Sequence, residues 1–168
     1  EKQKMFFVAS APLSADGHIN LSPKGYDAFK VIDDTTVCWL DLGGSGIETQ
    51  AHVQENGRLT IMFCAFEGPA NILRLYGTGQ IVNPHPAEWD EMLGLFPGFE
   101  RARGIFKVKL SRIQDSCGWG VPFYEFKGER DQLTRYVDNK STEEWVESRY
   151  AKNSESIDGL KGLVREDS

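Results

Sequence analysis

Thr36-Val-Cys-Trp-Leu-Asp-Leu42 runs directly into Gly43-Gly-Ser-Gly-Ile-Glu-Thr49, and this joint decides how the rest of the chain is interpreted. The first segment has the β-branched and aromatic residues typical of a strand, and the glycines after it end the strand because they favour unusual backbone dihedrals. A short helix is then predicted over residues 47–54, closed by Asn56-Gly57. The sequence thus predicts a strand that enters a glycine-rich corner and the N-terminus of a helix.

The corner supports two interpretations. The first turn of a helix has amide N–H groups without an intrahelical partner and a partial positive charge, so it can hold a phosphate. Ser45 and Glu48 also have the spacing of a capping box, in which the serine and glutamate side chains satisfy those donors. From these residues alone, a phosphate site and an ordinary helix start are equally well supported.

Charge and composition exclude several classes of partner. The 168 residues carry a formal net charge of -6 at pH 7, so the overall field repels nucleic acid and anionic membranes. An anionic ligand must therefore be held by a local cluster. A hydrophobic content of 40% at this length predicts one globular domain over residues 1–168. No apolar run is long enough to cross a bilayer, so no membrane partner is predicted.

The cysteines and histidines give no sign of a metal site. Cys38, Cys64 and Cys117 are odd in number and form no C-x-x-C pair, so we predict free thiols in a reducing compartment and a cytoplasmic protein. The three histidines lack a metal-ligand spacing such as H-E-x-x-H, and no metal is assigned.

Before the corner, the pattern predicts a hairpin. Two apolar strands, over residues 5–11 and 18–22, flank the turn-forming pair Asp16-Gly17. In the second strand Ile19 and Leu21 are expected to face the core, while His18, Asn20 and Ser22 face the other way. Pro23 ends or edges this strand because it cannot donate to a sheet ladder, which places Lys24 at the rim.

After the corner, strands alternate with few helices. Paired glycines at Gly77 and Gly79 indicate a bulge or bend in a long strand. A helix is predicted over residues 84–96 with Pro86 near its start, and two more, over 132–137 and 142–150, form a C-terminal helical extension. Further strands are expected over residues 28–32, 36–42, 58–66, 70–82 and 104–113. The predicted fold is a mainly β antiparallel barrel with peripheral helices.

The order of these parts resembles the pyridoxamine 5'-phosphate oxidase-like family, the FMN-binding split β-barrel. The resemblance is carried by Asn20-Leu-Ser-Pro-Lys-Gly25, by the corner, by the apolar strand over residues 59–66 and by Arg74-Leu-Tyr-Gly-Thr-Gly79. It covers nearly the whole chain. It implies a homodimer that binds FMN at the subunit interface and acts on a small-molecule substrate.

The resemblance also implies roles for single residues. Lys24 matches the basic residue that holds the flavin phosphate, and Ser45 and Thr49 match hydroxyl donors at the corner. Asn20 and Ser22 would point at the ribityl chain or the flavin edge.

The corner departs from the family pattern. The oxidases of the family have Ser-Arg-Lys here, whereas in this chain Ser45 is followed by Gly46 and Ile47, with Glu48 beyond them. A phosphate thus loses two charge-assisted partners, each contributing roughly 1.5–3 kcal/mol. Arg74 is a candidate replacement charge, and Glu48 is compatible with the ligand if its carboxylate bonds back to the helix cap.

These inferences favour an FMN-dependent oxidoreductase in which the cofactor carries the hydride and the protein orients it. Deazaflavin binding, haem binding, a flavin-binding module without turnover and a structural dimer with a vestigial pocket are the alternatives. No catalytic acid or base is assigned. Cys117 is considered as a redox thiol, and Trp119 is expected to plug the barrel rather than stack on a ring system.

Overall fold

Strands and helices follow the periodicities of the sequence closely. The computed structural model describes residues 3–84, 87–99 and 101–165, and within these ranges it has seven strands and four helices. The strands are β1 (Phe6–Ser10), β2 (Asn20–Lys24), β3 (Phe29–Asp33), β4 (Thr36–Asp41), β5 (Arg58–Cys64), β6 (Ile72–Val82) and β7 (Gly104–Ser116). The helices are α1 (Glu48–Asn56), α2 (Ala87–Leu93), α3 (Gln132–Asp138) and α4 (Thr142–Lys152). Pro86, predicted near the start of α2, lies outside the described residues.

All seven strands form one antiparallel sheet in the order β2-β1-β5-β6-β7-β4-β3. The sheet curls until its two ends meet, because Phe6 near one end packs against Phe29 at the other with ring centroids 5.3 Å apart. Inside the curl Trp39 and Phe106 stack at 4.3 Å. The prediction of a mainly β split barrel is therefore confirmed.

A β-bulge contributes to the curvature of the long strand β6. The pairing of β6 with β7 shifts register between Tyr76 and Gly77. A Cβ atom on Gly77 would overlap the carbonyl oxygen of Lys109 and lie 2.8 Å from Val108 Cγ1. The bulge predicted from the paired glycines is present, and it is built around a residue that must be glycine.

The predicted orientation of β2 is wrong. Ile19, next to the strand, is 77% exposed and Leu21 is 62% exposed, while Asn20, Ser22 and Lys24 are only partly exposed. The cause is that β2 is an edge strand whose polar face turns toward α1, where Asn20 Nδ2 donates to Thr49 Oγ1 at 2.8 Å. The sequence correctly predicts that buried and exposed side chains alternate along β2, but it predicts the wrong face as the buried one.

The structure also differs from the expectations for Trp119 and for the turn of the hairpin. Trp119 is 87% exposed and does not plug the barrel, because the loop that carries it projects away from the core. The hairpin is joined by a loop over residues 11–19 rather than by a tight Asp-Gly turn, since Ser10 pairs with Asn20. Cys38 and Cys64 are buried and all three cysteines are free, Cys117 being exposed.

The described part of the chain has neither a cluster of metal-ligating side chains nor a helix that could span a membrane. It contains no group of three or more histidine, cysteine, aspartate or glutamate side chains that could hold a metal ion. None of its helices has the length and hydropathy needed to span a bilayer.

Candidate functional site

The glycine-rich corner joins β4 to α1, and its helix begins without a side-chain cap. Ile47 is the N-cap residue, so the predicted capping box of Ser45 and Glu48 is absent. Glu48 Oε1 instead accepts from the backbone N–H of Ile157 at 3.3 Å. A Cβ atom on Gly46 would overlap Glu48 Oε2, so the carboxylate lies folded over the corner. Contact with the C-terminal segment is the reason that the carboxylate does not cap the helix.

The first turn of α1 therefore keeps free donors. Its first hydrogen bond runs from Ala51 N–H to the carbonyl oxygen of Ile47 at 2.9 Å. Within the described residues, the N–H groups of Glu48, Thr49 and Gln50 make no hydrogen bond. Such N–H groups attract anions, because they add to the positive end of the helix dipole.

Two polar contacts hold α1 against the sheet. The Oγ atom of Ser10, on β1, lies 3.0 Å from Nδ1 of His52, and both residues are buried. Burial lowers the pKa of His52, with Asp158 opposing this effect, so the imidazole is held in its neutral form. The second contact is the bond from Asn20 to Thr49. Together they fix the start of α1 beside the inward face of β2.

A buried ion pair fixes the corner itself. Arg103 Nε donates to Asp41 Oδ2 at 2.9 Å, and Arg103 Nη2 lies 2.8 Å from the same oxygen in a salt bridge. Arg103 Nη1 donates to the carbonyl oxygen of Gly46 at 2.8 Å and to Asn153 Oδ1 at 3.0 Å. One guanidinium thus ties the end of β4, the corner and the C-terminal segment together.

Lys24 lies at the end of β2, beside the corner. The chain after it bonds to β4, with Leu40 N–H donating to the carbonyl oxygen of Ala28 at 2.8 Å, next to Asp41. Burial lowers the pKa of Lys24, Asp41 raises it and Arg103 lowers it further. In the described ranges, no salt-bridge partner lies within 4.0 Å of its ammonium group. Lys24 is thus a partly buried cation that is close to the corner and available to an anion.

Ser22 continues this polar row. Its Oγ is buried and has no hydrogen-bond partner among the residues that the structure describes. Because side chains alternate along a strand, Asn20, Ser22 and Lys24 line one face of β2, toward α1 and the corner. A buried hydroxyl without a partner is unfavourable in the protein alone, so it marks a place where a ligand can supply the missing bond.

The structure does not bring Arg74 to this place within one subunit. Arg74 pairs with Met62, Met62 with Phe7 and Phe7 with Pro23, so all four lie on the face of the sheet opposite to Lys24. Arg74 Nη1 donates to Ser116 Oγ at 2.9 Å. Ser45 is exposed at the corner, next to Gly46.

Sequence reasoning missed three residues of the site, which are Asp41, Arg103 and Asn153. Asp41 ends an apolar strand and Arg103 comes directly before Gly104 and the next one, so a charge at each strand end was the available signal. Their pairing spans 62 residues of sequence and leaves no local pattern. Asn153 lies in a polar segment of the sequence, yet it is only 1% exposed.

Comparison with known proteins identifies the family. A family model described as pyridoxamine 5'-phosphate oxidase matches residues 1–117. The chain belongs to the pyridoxamine 5'-phosphate oxidase family. Among relatives of this family, the pyridoxamine 5'-phosphate oxidase family protein ustO of Aspergillus flavus is 34% identical over 182 residues, which cover 96% of this chain and 72% of ustO. The resemblance inferred from the sequence is confirmed.

Solved structures of similar fold agree with this assignment. A variant of HupZ from Group A Streptococcus superposes with a TM-score of 0.57 at 22% identity, over 68% of this chain and 91% of that one. A candidate pyridoxamine 5'-phosphate oxidase from Lactobacillus delbrueckii gives a TM-score of 0.51 at 14% identity, over 67% and 85% of the two chains. At these identities the likeness concerns the fold alone.

Proposed function

We propose that this member of the family is a flavoprotein that binds FMN and uses it as an oxidoreductase on a small-molecule substrate. The observation that carries the proposal is Lys24, a partly buried lysine beside the corner and the free donors of α1, with no counter-ion within salt-bridge distance among the described residues. A phosphate monoester is a dianion and satisfies both kinds of group.

Different residues of the site would bind different parts of the cofactor. Lys24 and the first N–H groups of α1 would hold the phosphate, and Thr49 would lie beside it. The unpartnered hydroxyl of Ser22 would bond to the ribityl chain, with Asn20 next to it. When bound, the flavin supplies hydride transfer, and the residues around it contribute orientation and hydrogen bonds.

The position of Glu48 limits how the phosphate can lie. Its carboxylate is folded over Gly46, and the N–H of Ile157 retains it there. A dianion is repelled by this charge, so we expect it to approach from the side of Lys24 rather than over Gly46. This side is also the side of Asp41 and Arg103.

The same proposal includes a homodimer. The outward face of β2 exposes Leu21, with Ile19 next to the strand, and β2 is an edge strand with unpaired backbone groups. Apolar side chains on an open edge favour association with another chain. A second copy of this chain would cover them and could bring residues from its own outer face, such as Arg74, to the flavin.

The absorption spectrum of the purified protein tests the proposal. We expect the bands of oxidised flavin, bleached by a reductant, and FMN as the released compound in mass analysis. A Soret band would assign haem instead, and a deazaflavin would be recognised by its mass. Colourless protein whose spectrum does not change when FMN is added would contradict the proposed function.

A further inference from the structure

Arg149 lies on α4, and one of its buried donors has no partner among the described residues. Its Nη1 donates to the carbonyl oxygen of Ala102 at 3.1 Å, while its Nε is buried without an acceptor in the described part of the chain. A guanidinium has five N–H donors and cannot be deprotonated in a protein, so it remains a cation that needs partners. Residues near Arg149 in the sequence do not supply them.

α4 packs directly on the corner. Trp145, one turn before Arg149, is buried, and a Cβ atom on Gly43 would lie 3.2 Å from its Cη2. The guanidinium of Arg149 lies over the Trp145 ring, 5.6 Å from the centroid. The indole ring therefore packs between Gly43 and Arg149 and holds the guanidinium beside the glycines of the corner.

The charges around Asp41 are not balanced. Burial lowers the pKa of Arg149, Arg103 lowers it further, and Tyr150 and Asp41 oppose these effects. Asp41 and Arg103 are the same two groups that act on Lys24. Asp41 thus acts on three cationic side chains, and it is already bonded to one of them, Arg103. In a chain with a net charge of -6, a local excess of positive charge in a partly buried place favours an anionic ligand.

The geometry points to Arg149 as a phosphate-binding residue that, together with Lys24, replaces the basic pair missing from the corner, an inference that rests on the proposed flavin site. The ligand class is a phosphate monoester dianion, here the phosphate of FMN. The C-terminal helical extension then determines the preference for FMN over riboflavin, which has the same ring and ribityl chain without the phosphate.

The test compares the affinities of apoprotein for FMN and riboflavin in wild type, Arg149→Gln and Arg149→Lys, measured by quenching of flavin fluorescence. Arg149→Gln should weaken FMN binding about ten-fold or more at low salt and leave riboflavin binding unchanged, because one charge-assisted contact is lost. Arg149→Lys should restore part of the FMN affinity. Arg135→Gln, which removes an exposed arginine paired with Asp131 on the neighbouring helix, is the matched control and should bind both flavins like wild type.

Two results would overturn the inference. One is equal FMN affinity of Arg149→Gln and wild type, and the other is equal weakening of FMN and riboflavin, which would make Arg149 purely structural. If wild type binds neither flavin, the proposed function itself is wrong. In that case the unfolding temperature is measured with and without inorganic phosphate. If phosphate raises it in wild type but not in Arg149→Gln, the anion site is supported. If phosphate has the same effect on both proteins, the anion site is contradicted.

Discussion

Among single residues, Arg103 ties the corner to a distant part of the chain. It is 5% exposed and bonds Asp41 and Gly46, in the connection from β4 to α1, and Asn153 at the end of α4. A buried ion pair adds little net stability compared with an apolar pair, but the loss of one partner leaves the other charge buried without compensation. Asp41 would be that charge.

We therefore expect Arg103→Ala to lower the free energy of unfolding by about 3–5 kcal/mol. Urea unfolding of the apoprotein measures it. Arg135→Ala breaks an exposed pair with Asp131 and should cost about 0–1 kcal/mol. Similar losses in the two variants would show that Arg103 does not hold the corner.

The sequence predicts part of this residue-level picture. Asn20, Ser22 and Lys24 were placed together because strand alternation is a local pattern, and the corner with Thr49 was placed by its glycines. Arg103 and Arg149 could not be found in this way, because a buried arginine and a solvated one look alike in sequence. Only the folded chain brings them to Asp41.

Among the secondary-structure elements, β2 shows what cannot be predicted from strand periodicity. Its alternation follows from the residues, although the strand is Asn20–Lys24 rather than the predicted 18–22. The buried face depends on where α1 packs, and α1 lies outside the strand. The β6 bulge was predicted because Gly77 itself is required there. The capping box failed for the opposite reason, since the distant segment around Ile157 binds the Glu48 carboxylate.

The exposed face of β2 gives a prediction about assembly. If it is covered in a homodimer, wild type should have about twice the 18.9 kDa mass of the chain in light scattering. Leu21→Glu should weaken the dimer at least ten-fold, because it places a charge in an apolar contact. Leu95→Glu, at an exposed leucine after α2, should leave the mass unchanged. A dimer that tolerates Leu21→Glu would place the interface elsewhere.

At the scale of the whole molecule, an acidic chain concentrates basic groups at one place. The net charge of -6 excludes general attraction to anions, yet Asp41 at the end of β4 pairs with Arg103 and acts electrostatically on both Lys24 and Arg149. Fold and family were predictable, because strand spacing and glycine positions are local and numerous. The residues that replace the missing basic pair could not be predicted from the sequence, because their position depends on how the C-terminal helices return to the corner.

The most direct measurement is the FMN affinity of Lys24→Ala apoprotein across a range of salt concentrations. Compared with wild type, the variant should bind FMN about ten-fold or more weakly at low salt, with a difference that shrinks at high salt, because the lost contact is an ion pair. Lys30→Ala removes a lysine of β3 that is paired with Asp27, and this variant should bind like wild type. Equal FMN affinity of Lys24→Ala and wild type at low salt would contradict the assignment of this corner as the phosphate site.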